Sequence, residues 1–323
     1  MDWLYVGLGL VILLLAGDAL VKGAVNLALR LGVPALIVSL TIVAFGTSAP
    51  ELLIAVQANL DHAPGIALGN VIGSNSANIL LVLGVPALMT GLQTSHCDTR
   101  DSYRLMLGAT IMFMALCFLG PITLVHGLIL LAALSAVLWG QLRDARAHRA
   151  EAKAAALAES ATEAEAEDVE GADPSMAGWK VAVFLILGLI GLPLGADLLV
   201  DGATSIARRF GISETAIGLT LVAVGTSLPE LATTVMAALR RHADVALGNV
   251  IGSNMFNLLA IIGIASFFGP LPVDPTFLRI DLWVMLGASV LLAPFVLWRM
   301  DMKRPVGIGL CLAYASYLWA VLA

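Results

Sequence analysis

The sequence predicts an all-α integral membrane protein of ten transmembrane helices, arranged as two inverted five-helix repeats. Three observations carry this. Hydrophobic residues make up 59% of the chain, charged residues 12%, and mean hydropathy is +0.95, against roughly 25% charged residues in soluble domains. Apolar stretches near the ~20 residues needed to cross a bilayer recur along the whole chain. Finally, residues 46–78, GTSAPELLIAVQANLDHAPGIALGNVIGSNSAN, return as residues 225–257, GTSLPELATTVMAALRRHADVALGNVIGSNMFN, identical at 19 of 33 positions without a gap.

In order, the spans fall at 3–29, 33–60, 66–92, 103–120 and 122–142, then at 179–207, 212–239, 244–269, 281–298 and 305–323. The first repeat occupies 1–143 and the second 178–323. One offset of 179 residues also aligns Asp18 with Asp197, Val21 with Val200, Gly23 with Gly202, Gly32 with Gly211 and Thr41 with Thr220. An odd number of helices per copy makes the second copy enter the membrane upside down, the architecture in which substrate sites form near the midplane where broken helices meet.

Between the repeats, residues 144–177 are hydrophilic and rich in Ala and Glu. They read as a solvated cytoplasmic linker that can fray into a surface helix, with a cation-sensing loop as the alternative. The N-terminus lacks the basic n-region and small-residue cleavage site of a secretory signal, so it reads as a retained first helix. Cys97, Cys117 and Cys311 form no CxxC, which argues against a zinc site or disulfide framework. With the N-terminus outside, Arg30, Arg100, Arg104, Arg143, Arg146, Arg149, Lys153, Lys180, Arg240, Arg241, Arg299, Lys303 and Arg304 face the cytoplasm. Only Arg208, Arg209 and Arg279 then lie outside, so the positive-inside rule selects this orientation. Trp3, Trp179, Trp298 and Trp319, near span ends, read as interfacial anchors. His62 and His242, in short loops, read as solvated.

A carboxylate near a membrane helix centre costs at least about 2.5 kcal/mol, so Glu51 and Glu230 at equivalent positions should face an aqueous or ion-filled cavity. Pro50 and Pro229 have no N–H and free the carbonyls of Gly46 and Gly225. Thr47, Ser48 and Glu51 share one helical face by spacing, as do Thr226, Ser227 and Glu230. Ser74 with Asn78, and Ser253 with Asn257, repeat the spacing of four in the following helix of each copy. All of these donors are oxygens or amides, the set that suits a hard cation such as Ca2+ or Na+ rather than zinc or copper. Gly69, Gly73, Gly248 and Gly252 would let the backbones approach closely.

The two copies of GTS-x-P-E followed by GN-x-x-GSN-x-x-N resemble the α1 and α2 repeats of the calcium/cation antiporter superfamily, the sodium/calcium exchangers and their prokaryotic relatives. The resemblance covers both halves and implies exchange of cytoplasmic Ca2+ against Na+ or H+ across the cell (inner) membrane. By position it implies Thr47, Ser48, Glu51, Ser74 and Asn78 as ion ligands from the first half, and Thr226, Ser227, Glu230, Ser253 and Asn257 from the second. It further implies the backbone carbonyls of Ala44 and Ala223, and first helices that slide or rock over the remaining core. Some sodium/calcium exchangers carry an Asp at one of the positions held here by Asn78 and Asn257, which bears on the driving ion and the stoichiometry.

Plainer readings stand beside these. Membrane-helix serines and threonines commonly bond their own i−4 carbonyl. Asn70, Asn75, Asn249 and Asn254 fit packing or site equally. Asp18 and Asp197, on the first helix of each copy, can face water along a gate or pair with Lys22 and nearby amides. A two-aspartate protease would need adjoining acids and a metalloprotease an HExxH; the sequence has no HExxH, and no cofactor or nucleic-acid partner is implied. A passive cation channel can use the same oxygen-lined path, but its filter usually lies on an axis between subunits, whereas the pseudo-axis expected here runs within one chain.

Overall fold

In the computed structural model, residues 2–158, 173, 176–211 and 223–322 are described, and all of the regular elements among them are helices. Among the described residues seven helices are long and apolar enough to cross a membrane, or eight if one bent pair forms a single span. The chain runs through α1 (Asp2–Leu31), α2 (Ala35–Thr47), α3 (Ala49–Leu60), α4 (Pro64–Met89), α5 (Arg100–Phe118) and α6 (Leu124–Ala158). The second half comprises α7 (Gly178–Arg209), α8 (Ala223–Thr226), α9 (Leu228–Leu239), α10 (Ala243–Phe268), α11 (Phe277–Leu297) and α12 (Arg304–Leu322).

The helix preceding the linker runs on into it. α6 continues to Ala158 instead of stopping near residue 142, because the Ala, Arg and Glu that follow are good helix formers even in water. Residues 159–172 and 174–175 of the linker, and residues 212–222 with Thr220, lie outside the described residues.

The repeat is visible in the backbone. Ser48 (φ −86°, ψ 7°) and Ser227 (φ −87°, ψ 4°) interrupt the helices in the same way, and in each copy the proline occupies the start of the next helix, where its missing N–H costs nothing. At the first break α2 and α3 bend by 42°. His62 and Arg241, again 179 apart, both adopt positive φ at the following turn. A short π-helical turn begins at Asn78 and another at Asn257.

α4 and α10, which carry the GN-x-x-GSN segments, form the centre: 78% and 89% of their apolar windows are buried, against 22% for α7. Close packing explains the glycines of α10. A Cβ on Gly252 would lie 2.6 Å from the Leu40 carbonyl oxygen, and one on Gly248 would meet the Ser39 side chain. Ser39 also donates to the Val245 carbonyl at 2.7 Å.

α1 and α7 pack antiparallel. Gly9 lies against Leu199 and Gly188 against Leu20, while Gly23 lies against Leu185 and Gly202 against Val6. Each pair becomes the other when both of its members are exchanged between copies by the 179-residue offset. Loops follow the same exchange approximately: Leu92 bridges Met302, and Leu271 bridges Ile122. Trp3, Trp179, Trp298 and Trp319 are all more than two-thirds exposed, as anchors in a lipid interface would be.

Candidate cation site

The helix breaks bring the two motif copies face to face. Ser48 Oγ donates to Glu230 Oε1 at 3.1 Å, joining residues 182 positions apart. Glu51 and Glu230 are both buried, 1% and 0% exposed. Each lies in the first turn of a half-helix, where the positive end of the helix dipole favours negative charge. Thr47 Oγ1 donates to Asn249 Oδ1 at 3.3 Å and approaches Ser253 Oγ at 3.4 Å. Asn78 Nδ2 donates to Asn254 Oδ1 at 3.0 Å. The first motif therefore touches the second through α10 as well as through α9.

Several buried polar atoms around these contacts have no hydrogen-bond partner within the protein. They are Oε2 of Glu51, Oε2 of Glu230, the hydroxyls of Ser74 and Ser227, Oδ1 of Asn78 and both amide atoms of Asn257. Each such group costs about 1–3 kcal/mol when left unpaired, so the cluster is poorly explained as packing. Two carboxylates with neutral oxygens fit a hard cation as cargo. Among the described residues no three His, Cys, Asp or Glu side chains converge, so the carboxylates described at the cluster are Glu51 and Glu230.

Not every expected donor stands in the same relation to this cluster. The Ala44 carbonyl accepts the helical bond from Ser48 N at 3.1 Å and, at 3.3 Å, is the alternative to Asn249 Oδ1 as acceptor for the single proton of the Thr47 hydroxyl. At the other break Ser227 N reaches the Val224 carbonyl instead, and Ala223 begins the four-residue α8. Thr226 is buried beside that break. Ser253 is buried and bonded toward Thr47.

Asn249 proves to be a brace, donating to the Glu230 carbonyl at 3.3 Å and to Thr234 Oγ1 at 3.1 Å. Thr234 was missed in the sequence, although it follows Glu230 by four residues and so shares its face. The π-helical turns at Asn78 and Asn257 carry no sequence signature, yet such turns gather at functional sites. Asp18 does pair with Lys22, at 3.7 Å, and also with Arg240; Asp197 is exposed. His62 is exposed as expected. His242 corrects the sequence reading: it is buried where its loop folds back, its N–H donating to the Ala237 carbonyl at 2.8 Å.

The family model for sodium/calcium exchanger proteins matches residues 1–143 and 180–323. The chain belongs to the sodium/calcium exchanger family. It is 33% identical over 320 residues to the putative antiporter CaxA of Alkalimonas amylolytica, covering 98% of this chain and 96% of that one. To the inner membrane protein YrbG of Escherichia coli K12 it is 35% identical, covering 96% and 93%. To the sodium/calcium exchanger MaX1 of Methanosarcina acetivorans it is 33% identical, covering 98% and 97%. A solved structure of the sodium-calcium exchanger NCX_Mj superposes with a TM-score of 0.82 at 31% identity, covering 99% of this chain and 98% of that one. As a member of this exchanger family the chain is a transporter rather than an enzyme, and a multi-pass membrane protein.

Proposed function

We propose that this chain is a secondary-active antiporter that exchanges Ca2+ for Na+ or H+ by alternating access, with one site held jointly by Glu51 and Glu230. The observation that carries the reading is the buried cluster in which Ser48 meets Glu230 while Oε2 of Glu51 and of Glu230, the hydroxyls of Ser74 and Ser227, Oδ1 of Asn78 and the amide of Asn257 lack protein partners. Ser74, Ser227, Asn78 and Asn257 complete the donor set, with Thr47, Ser253, Thr226 and the carbonyls of Ala44 and Ala223 adjoining it. Ca2+ and the driving ion compete for the same two charges, and exchange follows from that competition.

Ten spans in two inverted repeats fit this mechanism. The antiparallel run of α1 against α7, with contacts exchanged by the 179-residue offset, supports an in-plane pseudo-two-fold axis, the geometry of alternating-access transporters. The positive-inside count supports an external N-terminus and a cytoplasmic linker. Bridging of Leu92 to Met302, two loops that this orientation places in the cytoplasm, agrees with it. The name of the Escherichia coli relative supports an inner-membrane location.

H+ as the driving ion is a second reading, favoured by the amides at Asn78 and Asn257, since protons can neutralise the two glutamates directly. The test is Ca2+ uptake into everted membrane vesicles with an imposed Na+ gradient, an imposed pH gradient, or neither. Uptake that depends on one gradient supports antiport and identifies the ion; equal flux with neither gradient would reject antiport in favour of a channel.

A further inference from the structure

The two copies differ where their first helices meet the half-helices that carry the glutamates. α1 packs along α9, with Gly17 against the main chain of Ala232, which is only 7% exposed. The position equivalent to Ala232 in the first copy is Leu53, and it is 71% exposed; α7 has no comparable packing on α3 among the described residues. One side of the site is thus covered by a first helix and the other is not.

An ion pair sits on the covered side. Asp18, on α1, binds the guanidinium of Arg240, the residue that caps the C-terminus of α9, and Lys22 adds a second cation at 3.7 Å. The Asp18 and Arg240 side chains are 24% and 19% exposed, so salt screens the pair less than it would a surface pair. Under the 179-residue offset, Asp18, Lys22 and Arg240 correspond to Asp197, Asp201 and Asp61. Asp61 caps α3 as Arg240 caps α9, and all three of these carboxylates are exposed. Two cations around one carboxylate in one copy become three carboxylates in the other.

Arg240 also lines a cavity of about 940 Å3 with Leu36, Leu40, Gln93 and Asp244. Its inner wall at Leu40 is 2% exposed and backs onto Gly252 and Ala44, so the cavity stops short of the glutamates.

We infer that Asp18 and Arg240 are positioning residues that form a one-sided latch, holding α1 on α9 and closing the cytoplasmic approach to the ion site. Among the described residues no ion pair joins α7 to α3 on the approach past Asp61, Asp197 and Asp201, which presents three carboxylates to incoming cations. Resting occupancy is therefore biased toward the externally open state, and reaching the cytoplasmically open state requires the Asp18–Arg240 pair to separate. The inference rests on the alternating-access reading and on the N-terminus-outside orientation proposed above.

The test compares the apparent KM for Ca2+ at the two faces of the membrane, using everted and right-side-out vesicles, with hydrogen–deuterium exchange of residues 36–43 in detergent as a readout independent of transport. Arg240→Gln and Asp18→Asn should each lower the cytoplasmic KM and raise the external KM. The ratio of the two should change by about fivefold or more, the low end of couplings between sites, and exchange at residues 36–43 should quicken. Asp61→Arg, which supplies a partner for Asp197, should move the ratio the opposite way. The double replacement Asp18→Arg with Arg240→Asp should restore both readouts, which loss of mere packing would not allow.

Equal effects on both faces, unchanged exchange at residues 36–43, or failure of the charge swap in folded protein would overturn the latch. Reversed membrane orientation would instead show as the same ratios with the faces interchanged. Gradient-independent flux in the unsubstituted chain would overturn the transport reading, while the exchange readout still decides whether the pair holds α1.

Discussion

Ser48 donates to Glu230 Oε1 at 3.1 Å, so the helix break of one motif copy holds the carboxylate of the other. The proposed site therefore draws on both halves. Glu51→Gln and Glu230→Gln should each abolish Ca2+ exchange while leaving the protein folded, because each removes half of the site's formal negative charge without changing its shape. Near-normal exchange by either folded variant would make that carboxylate structural. Ser48→Ala should weaken Ca2+ binding by less, on the order of the 1.5–3 kcal/mol of a hydrogen bond to a charged group, read as the shift in half-saturating Ca2+.

The stoichiometry follows from charge. With amides at Asn78 and Asn257, two negative charges are neutralised equally by one Ca2+ or by two monovalent cations. A third monovalent ion would leave a buried positive charge uncompensated, at several kcal/mol. Exchange should be close to electroneutral, and Asn257→Asp should move it toward an extra monovalent ion. In voltage-clamped proteoliposomes, the gradient at which net Ca2+ movement stops should not depend on membrane potential; a dependence matching three-for-one exchange would reject the charge count.

Gly252 sits where α10 crosses α2, and an added Cβ would press on the Leu40 carbonyl and the Ala44 side chain. Backbone cannot yield as a flexible side chain can, so Gly252→Ala should destabilise the fold by about 1–3 kcal/mol, the usual cost of overpacking. Thermal unfolding in detergent measures this. A melting temperature equal to that of the unsubstituted chain would show that the crossing has slack.

Replacing residues 155–175 with a short Gly/Ser connector should preserve gradient-driven Ca2+ transport, since the segment is too poor in apolar residues for a packed core. Loss of flux in a folded replacement would give the linker a part in the mechanism.

Outside the membrane, the loops that meet at Leu92 and Met302 are clipped by Asp301. Its carboxylate accepts from Ser95 N at 3.0 Å, and that bond holds it below the ordinary carboxylate range. A lowered folded value means that its stabilising contribution is present above the unfolded pKa of about 3.9 and fades as pH falls through the lowered value. Asp301→Asn should therefore loosen the loop at neutral pH but make no difference at pH low enough to protonate the folded carboxylate. Exchange protection of the Ser95 amide, compared across pH, reports this directly; an equal loss of protection in acid would assign the effect to shape.

The sequence by itself determined the solvent, the repeat and the residues that are equivalent between its copies. Apolar runs fix a bilayer, the 179-residue offset pairs Glu51 with Glu230 and Ser74 with Ser253, and Pro50 and Pro229 mark the breaks, because composition, identity and a missing N–H are local properties. The tertiary structure decided which donors are engaged and which stand free. The Ala44 carbonyl is engaged by Ser48 N while the amide of Asn257 finds no protein partner, and Asn249 braces Glu230, a difference that depends on how α9 and α10 seat against α2. It also decided that Arg240 reaches Asp18 across 222 residues. Aligned sequence copies are equivalent by construction, whereas a transporter in one conformation packs α1 onto α9 and leaves α3 exposed, and only coordinates can break that symmetry.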